Sequence, residues 1–288
     1  MTESRTLPQE PRPMSESAFA AISHLARSEA GLVLPPGKAT MVQSRLRARI
    51  RELGIADLDS YSKFVCSDEG KSERRLMISA LTTNVSHFFR EPHHFDILRD
   101  RALPGLIARA RAGERVRIWS AGCSSGQEPY SIGMVLLQAA PDLAQRDVLI
   151  LASDIDPRIL EKAEGAQYSG QQIAGIPEAL RKSYLEPGQD DDTFGVTANV
   201  RRLVRFRELN LLATWPMPSQ FDVIFCRNVV IYFDLETQSR LWPRFHKMLK
   251  PDGWFFVGHS ERISDEAQHL FVSAGQTAYR PSSPNGTY

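Results

Sequence analysis

The sequence predicts an α/β protein in which a doubly wound, largely parallel sheet follows a small helical domain and carries a small β insertion. Three observations predict it. Apolar runs at 116–120, 148–153, 221–226 and 254–257 have the length of buried strands and alternate with helical stretches, as in a parallel sheet covered on both faces. Residues 15–84 repeat apolar side chains at helical spacing, without the alternation of a half-buried strand. The first apolar run leads through Gly122-Cys123-Ser124-Ser125-Gly126 into a helix, and the second ends in a carboxylate, Asp154. A tight glycine turn lets backbone approach a ligand closely, and an acid after the next strand can take two ribose hydroxyls.

Bulk properties set the limits. At 288 residues and 42% hydrophobic content the chain can bury a full core. A net charge of +1 gives no global field favouring nucleic acid or an acidic membrane. Cys66, Cys123 and Cys226 are odd in number and far apart, which fits neither a disulfide framework nor a metal-ligand spacing and suits a reducing cytosol. Residues 1–14, polar and interrupted by Pro8, Pro11 and Pro13, read as a disordered tail, and no apolar run is long enough to span a bilayer. A soluble, cytoplasmic chain without membrane insertion is expected.

In chain order, Ser17 is expected to cap a helix whose inner face holds Phe19, Ile22 and Leu25 and which ends near Gly31. After Pro35-Pro36-Gly37, a helix over 38–53 carries the stripe Val42, Leu46, Ile50 and Leu53, and shorter helices follow at 58–66 and 73–81. A helix from Pro92 to Arg111 leads into the first strand, 130–139 lies on the helix after it, and 157–163 begins the helix after the second. The helix over 234–249 contains Pro243, expected to kink or shorten it. Lys250-Pro251-Asp252-Gly253 turns into the strand 254–257, and 270–279 supplies a closing antiparallel edge strand. The acidic loop Gln189-Asp190-Asp191-Asp192 and an arginine-interrupted strand at 200–206 read as a β-subdomain insertion over 183–209. The expected division is a tail (1–14), a helical domain and linker (15–90) and an α/β domain (91–288).

A dinucleotide site expects Gly-x-Gly-x-x-Gly. Here the middle glycine is missing, and Gln127 and Glu128 stand where phosphates would sit. A carboxylate repels a pyrophosphate but suits a cofactor with an α-amino group, which argues for S-adenosylmethionine over NAD. Taken alone, the turn also fits an ordinary strand-to-helix connection.

Five blocks in order carry a resemblance: 82–91 (TTNVSHFFRE), 126–131 (GQEPYS), 152–156 (ASDID), 225–233 (FCRNVVIYF) and 258–261 (GHSE). Together they resemble the CheR family of chemotaxis-receptor glutamate O-methyltransferases over residues 15–275. The resemblance implies a class I methyltransferase domain with a Rossmann-like sheet, a helical N-terminal domain and a β-subdomain. It implies transfer of a methyl group from S-adenosylmethionine to receptor glutamates, giving methyl esters and S-adenosylhomocysteine. By matching position, Asn84, Ser86 and Arg90 contact the cofactor from the linker, and Gly122, in the glycine turn, is expected to bind it as well. Glu128 and Asp154 hold the methionine and ribose parts, while Asn210, Leu211, Arg227 and Asn228 line the two ends. Ser86 and Gln127 stand where family members often have threonine and glutamate, two mild departures.

A glutamate carboxylate is already ionised at neutral pH, so this chemistry needs no general base. Catalysis then rests on in-line positioning. Arg90 is the natural clamp for the acceptor carboxylate, and Tyr232, just past a strand end, is placed to orient its second oxygen or the methyl group. Each side chain also has a plain structural role open to it. Arg90 can pair with Glu91 or Asp96, Tyr232 can be core beside Phe233, Asp154 can cap the helix near Pro157, and Glu128 can complement a helix dipole. The tandem His93-His94 and lone His259 read as structural, so no metal is expected. Cys123 and Cys226 read as small apolar fillers.

Arg45, Arg47, Arg49 and Arg51 crowd the second helix away from its apolar stripe, a solvated face or a basic docking face for an acidic helix. The resemblance implies the methylation helices of chemoreceptors as that partner. The 187–195 loop lacks a compact Gly-x-Gly turn and is acidic, so tethering to a receptor's C-terminal pentapeptide is not expected. A nucleic-acid methyltransferase is the second reading. It is disfavoured because 226–230 (CRNVV) is not Asn/Asp-Pro-Pro-aromatic and no stacking aromatics interleave the arginines. A cofactor-sensing module with degenerate catalysis is the third, disfavoured by Arg90, Glu128, Asp154 and Tyr232. A monomer is expected.

Overall fold

Residues 13–188 and 190–282 are described by the computed structural model. The tail reading, for residues 1–12, and Gln189 of the acidic loop lie outside the described residues. The chain divides after Thr82 into two compact units.

The first unit is helical. Helix α1 (Glu16–Ala30) is capped by Ser15, two residues ahead of the expected Ser17, through its side chain accepting from Ala18 N at 3.2 Å; it ends at Gly31, φ 70°. Helices α2 (Ala39–Leu53), α3 (Leu58–Cys66) and α4 (Lys71–Leu81) follow, with α1 packed on α3 and α2 on α4. The inner stripe of α2 departs from the expected one. Val42, Leu46 and Arg49 are buried, Ile50 is half-buried and Leu53 is 40% exposed. Arg49 therefore does not belong to a basic outer face. Its Nε and Nη2 donate to the two oxygens of buried Glu73 at 2.8 and 2.6 Å, and Tyr61 donates to the same carboxylate at 2.9 Å. Helical spacing assigns an arginine outward by default; here a buried carboxylate one helix away overrides it. Arg45, half-buried, donates to the carbonyls of Leu81 and Thr82 at 2.6 and 2.9 Å, satisfying the end of α4. Arg47 and Arg51 remain exposed.

In the second unit, helix α5 (His93–Ile97) continues through a π turn (Leu98–Ala102) into α6 (Leu103–Arg111). The wide turn stands directly before Pro104, which has no N–H to donate. Then come β1 (Val116–Ala121), α7 (Gln127–Ala139), β2 (Val148–Asp154), α8 (Pro157–Gly165), β3 (Gln167–Ser169), α9 (Gly170–Ile173), α10 (Glu178–Tyr184), β4 (Leu185–Pro187) and β5 (Thr193–Val196). The chain closes with α11 (Ala198–Leu203), β6 (Val204–Glu208), β7 (Phe221–Cys226), α12 (Leu235–Met248), β8 (Leu249–Val257), β9 (Phe271–Gly275) and β10 (Ala278–Pro281).

The main sheet has the order β6-β2-β1-β7-β8-β10-β9. Its first five strands are parallel and its last two antiparallel, the mixed doubly wound arrangement expected. In register, Ala121 sits beside Ser153, Ser120 beside Phe225, and Cys226 beside Val257, so the carboxyl ends of β1, β2, β7 and β8 lie along one rim. One face is covered by side chains from α6, α7 and α11. The other is an aromatic layer of Trp119, Phe221, Trp242, Phe245 and Phe255.

Three details depart from the expected elements. The insertion is a three-stranded sheet, β3-β5-β4, that recruits β3 from before residue 183. Within 200–206, Val200 and Leu203 instead form the buried face of α11, and the segment from Val204 joins the main sheet beside β2 with Val204 and Phe206 buried. The segment 270–279 is a hairpin, and Pro243 sits inside an uninterrupted α12 held by the burial of Leu241, Trp242 and Phe245. At the opposite rim, the start of β7, buried Asp222 is matched by Lys250 Nζ at 2.8 Å, by the Arg109 guanidinium and by the Arg117 N–H at 2.7 Å.

Candidate active site

The carboxyl rim is built from three loops whose backbone is locally unusual. Among non-glycine residues, Phe89, Glu91, Ser124 and Asn228 have φ of 54°, 55°, 50° and 59°. Left-handed backbone outside glycine is uncommon and gathers at functional sites. In the turn after β1, Gly122 has φ 79°, and a Cβ there would lie 2.2 Å from Val229 Cγ2. That glycine lets the turn after β1 and the loop after β7 touch.

Two carboxylates anchor this rim. Asp154, 8% exposed, ends β2; its Oδ2 accepts from Ser124 N at 2.8 Å and its Oδ1 from Asp156 N at 3.1 Å. Burial pushes its carboxyl up from the ordinary value, and the backbone N–H groups restrain the rise. Asp154 has no ion-pair partner among the described residues. Asn84 closes the same corner, with Nδ2 donating to Asp156 Oδ2 at 2.7 Å and its carbonyl accepting from Ser124 Oγ at 3.0 Å. The Asp154 carbonyl accepts from Leu209 N at 2.9 Å, which brings Asn210 and buried Leu211 to the rim beyond β6. Asp156, not Asp154, caps α8.

Glu128, in the first turn of α7, is the second anchor. Its Oε1 accepts from Ser120 Oγ at 2.7 Å and its Oε2 faces Arg227 Nη1 at 3.0 Å. Burial raises its carboxyl, opposed by Arg227. Arg227, with a side chain 2% exposed, also reaches Glu91 Oε2 at 3.5 Å and donates to the Arg90 carbonyl. The expected residues Arg90, Glu128 and Arg227 thus form one connected group, and Asn84, Asp154 and the turn after β1 form another.

Arg90 pairs with neither Glu91 nor Asp96. Its guanidinium donates to the Val85 carbonyl at 3.3 Å and makes no ion pair among the described residues. Tyr232, half-buried, ends the 3-10 turn Val230–Tyr232, and Ser86 is half-buried on the segment before Arg90.

Sequence reasoning gave no role to three residues the site uses. Glu91 balances Arg227 and accepts from His259 Nδ1 at 3.1 Å. Asp156 holds Asn84. Glu261, 2% exposed, accepts from the backbone N–H groups of 228–231 and of Gly258. All three lie inside the five sequence blocks, so the signal was present without a geometry to interpret it.

Glu91, His93 and His94 bring one ligand-type atom each within 4.8 Å of one another. In this structure two of them belong to a polar network: His94 Nε2 meets Thr277 Oγ1 at 2.8 Å, and Arg227 supplies the positive charge beside Glu91, while His93 packs its ring against His94. Burial, reinforced by Arg227, pushes the His94 imidazole down to about 3. Cys123 and Cys226 are buried at the rim, and burial lifts both thiols well above their usual range.

Comparison with known proteins decides what this rim belongs to. Residues 84–280 match the CheR methyltransferase SAM-binding domain, and residues 17–82 match the CheR methyltransferase all-alpha domain. The chain belongs to the CheR methyltransferase family. It is similar to a probable chemotaxis protein methyltransferase of Rhizobium etli, 49% identical across 88% of this chain and 95% of that one. It is also similar to the chemotaxis protein methyltransferase of Escherichia coli, 41% identical across 92% and 91% of the two chains. Chemotaxis protein methyltransferase 2 of Pseudomonas aeruginosa is 41% identical across 88% of each. This CheR chain is accordingly an S-adenosylmethionine-dependent methyltransferase. The rim has donor and acceptor groups that fit that cofactor: Asp154 is a buried carboxylate held, among the described residues, only by backbone N–H groups and able to accept hydroxyls, and Glu128, paired with Arg227, is a second acid able to accept an ammonium group. No helix among the described residues is long and apolar enough to cross a membrane.

Proposed function

We propose that this enzyme esterifies glutamate side chains on the cytoplasmic methylation helices of chemoreceptors, and that Arg90 and Tyr232 orient the acceptor. S-adenosylmethionine supplies an electrophilic methyl: the carboxylate oxygen forms the new C–O bond, the C–S bond breaks, and its electron pair stays on sulfur in S-adenosylhomocysteine. The observation that carries the reading is the Arg90 guanidinium. It lies on the same segment as Asn84, its own carbonyl is held by Arg227, and it has no carboxylate partner among the described residues. A planar cation so placed can take a carboxylate in two parallel hydrogen bonds. The acceptor is ionised at neutral pH, so the chain needs to supply orientation and not a base.

In this reading Asp154 accepts the ribose hydroxyls, Glu128 accepts the ammonium group of the methionine end, and Ser86, Gly122, Asn210, Leu211 and Asn228 line the same cofactor. Arg47 and Arg51, exposed on one side of α2, form the basic face for an acidic receptor helix, while Arg45 is engaged by the carbonyls that end α4. The turn between β4 and β5 exposes Asp190, Asp191 and Asp192, which disfavours capture of a receptor tail by its terminal carboxylate. The enzyme is read as a cytoplasmic monomer that uses neither metal nor nucleic acid.

The test is methyl transfer from labelled S-adenosylmethionine to chemoreceptor-containing membranes, followed by mild alkali. Label released as volatile methanol is the expected result. Alkali-stable label would overturn the carboxylate assignment and favour an amine or base acceptor. Micromolar affinity for receptor tail peptides would overturn the prediction of no tether.

A further inference from the structure

The loop after β7 carries Arg227 and Asn228 and runs into Tyr232, so its shape sets three of the residues assigned above. That shape is not self-supporting. Asn228 has φ 59°, and the N–H groups of the following residues turn inward toward one point. Buried N–H groups left without an acceptor are costly, because each loses its hydrogen bond to water and gains nothing in return. The acceptor comes from the neighbouring strand's loop. Glu261 Oε1 accepts from Val229 N at 2.8 Å, Val230 N at 2.9 Å and Ile231 N at 3.4 Å. Its Oε2 accepts from Asn228 N at 2.9 Å and from Gly258 N at 2.5 Å.

Glu261 has no cationic partner among the described residues, so converging peptide dipoles balance its charge, as in an anion-binding nest. Gly258 completes the fit. A Cβ at that position would come within 2.5 Å of Asn228 Nδ2, 2.8 Å of Asn228 N and 2.8 Å of Glu261 Oε2.

We propose that Glu261 is a positioning residue for methyl transfer: its carboxylate serves as a built-in anion that moulds the 228–231 backbone, and so sets where Arg227, Asn228 and Tyr232 stand. This rests on the roles given to those three residues above. A merely structural role for Glu261 would change how much protein folds, and not what each folded site does.

Two variants separate these cases. Glu261→Gln keeps size and one acceptor oxygen but turns an NH2 group toward backbone donors on one side. Gly258→Ala presses on the same contact from the other side and leaves every charge in place. Calorimetric titration with S-adenosylhomocysteine gives the number of competent sites and their affinity, and turnover on receptor membranes is then expressed per competent site. Both variants are expected to keep about one site per chain, to bind S-adenosylhomocysteine about tenfold more weakly, and to lose about 100-fold in kcat per site, with the KM for receptor changed less than threefold. Affinity and per-site kcat within twofold of wild type, with only the site number or melting temperature reduced, would overturn the proposal. If neither variant folds, hydrogen exchange on the wild-type enzyme decides: slow exchange of the Val229 and Val230 amides is expected, and fast exchange overturns it. Product binding is read without receptor, so a wild type that binds S-adenosylhomocysteine but esterifies no glutamate would refute the acceptor assignment while still testing Glu261.

Discussion

The two rims of the main sheet handle buried charge in opposite ways. At the amino rim, Asp222 is fully buried yet surrounded by Lys250, Arg109 and the Arg117 N–H. At the carboxyl rim, Asp154 and Glu261 have no cationic partner among the described residues, burial raises both carboxyls, and His94 is held neutral. The left-handed backbone of Phe89, Glu91, Ser124 and Asn228 lies there too. One rim satisfies its charges internally and stabilises the fold. The other balances Asp154 and Glu261 with backbone N–H groups alone and leaves the Arg90 guanidinium without a carboxylate partner among the described residues.

The sharpest way to break this contrast is Arg90→Ala. Turnover on receptor glutamates should fall about 10³-fold, with S-adenosylhomocysteine affinity changed far less, measured by single-turnover transfer and calorimetry. Next is Asp222→Ala, which leaves two cations at the amino rim without their carboxylate. Arg109 and Lys250 have side chains 24% and 28% exposed and can turn toward water, so the loss should be about 3 kcal/mol, the lower end for a broken buried pair. Chemical denaturation would read this as a lower midpoint at unchanged slope, with cofactor affinity intact.

His94 supplies a pH test of the carboxyl rim. Its imidazole takes a proton near 6.5 when unfolded but only near 3 when folded, so the unfolded state gains protons first and stability falls as pH drops through that window. The wild type should lose about 2 kcal/mol from this group between pH 7.5 and pH 5. His94→Gln, which can still meet Thr277, should flatten that part of the curve. An unchanged pH profile would remove His94 from the account. The smallest effect expected is from Arg47→Glu on α2: an about threefold rise in KM for receptor, reduced by added salt, with no change in midpoint.

The sheet was legible because buried parallel strands are continuous apolar runs, and 221–226 announces itself by composition alone. That Glu128 and Asp154 would stand at the carboxyl rim was legible because each follows a buried strand, one past the glycine turn and one at the strand's end. Arg49 was not: helical spacing reports which face a residue occupies, and nothing local reveals that Glu73 waits on the facing helix. Val204 was misplaced for the same reason. Two exposed arginines in β6 mimic a loop insertion, while its neighbour β2 lies some fifty residues earlier. Glu261 was visible as a letter in a block, but its role depends on five N–H groups arranged by a turn whose shape no residue in it predicts.

Cys123 and Cys226 give the carboxyl rim a chemical selectivity. A thiolate is a stronger nucleophile toward a sulfonium methyl than a carboxylate is, and either sulfur lies on a segment proposed above to line the cofactor. Burial keeps both as protonated thiols. In the proposed reading, burial and protonation of both thiols would leave the acceptor carboxylate as the competent nucleophile beside the sulfonium methyl.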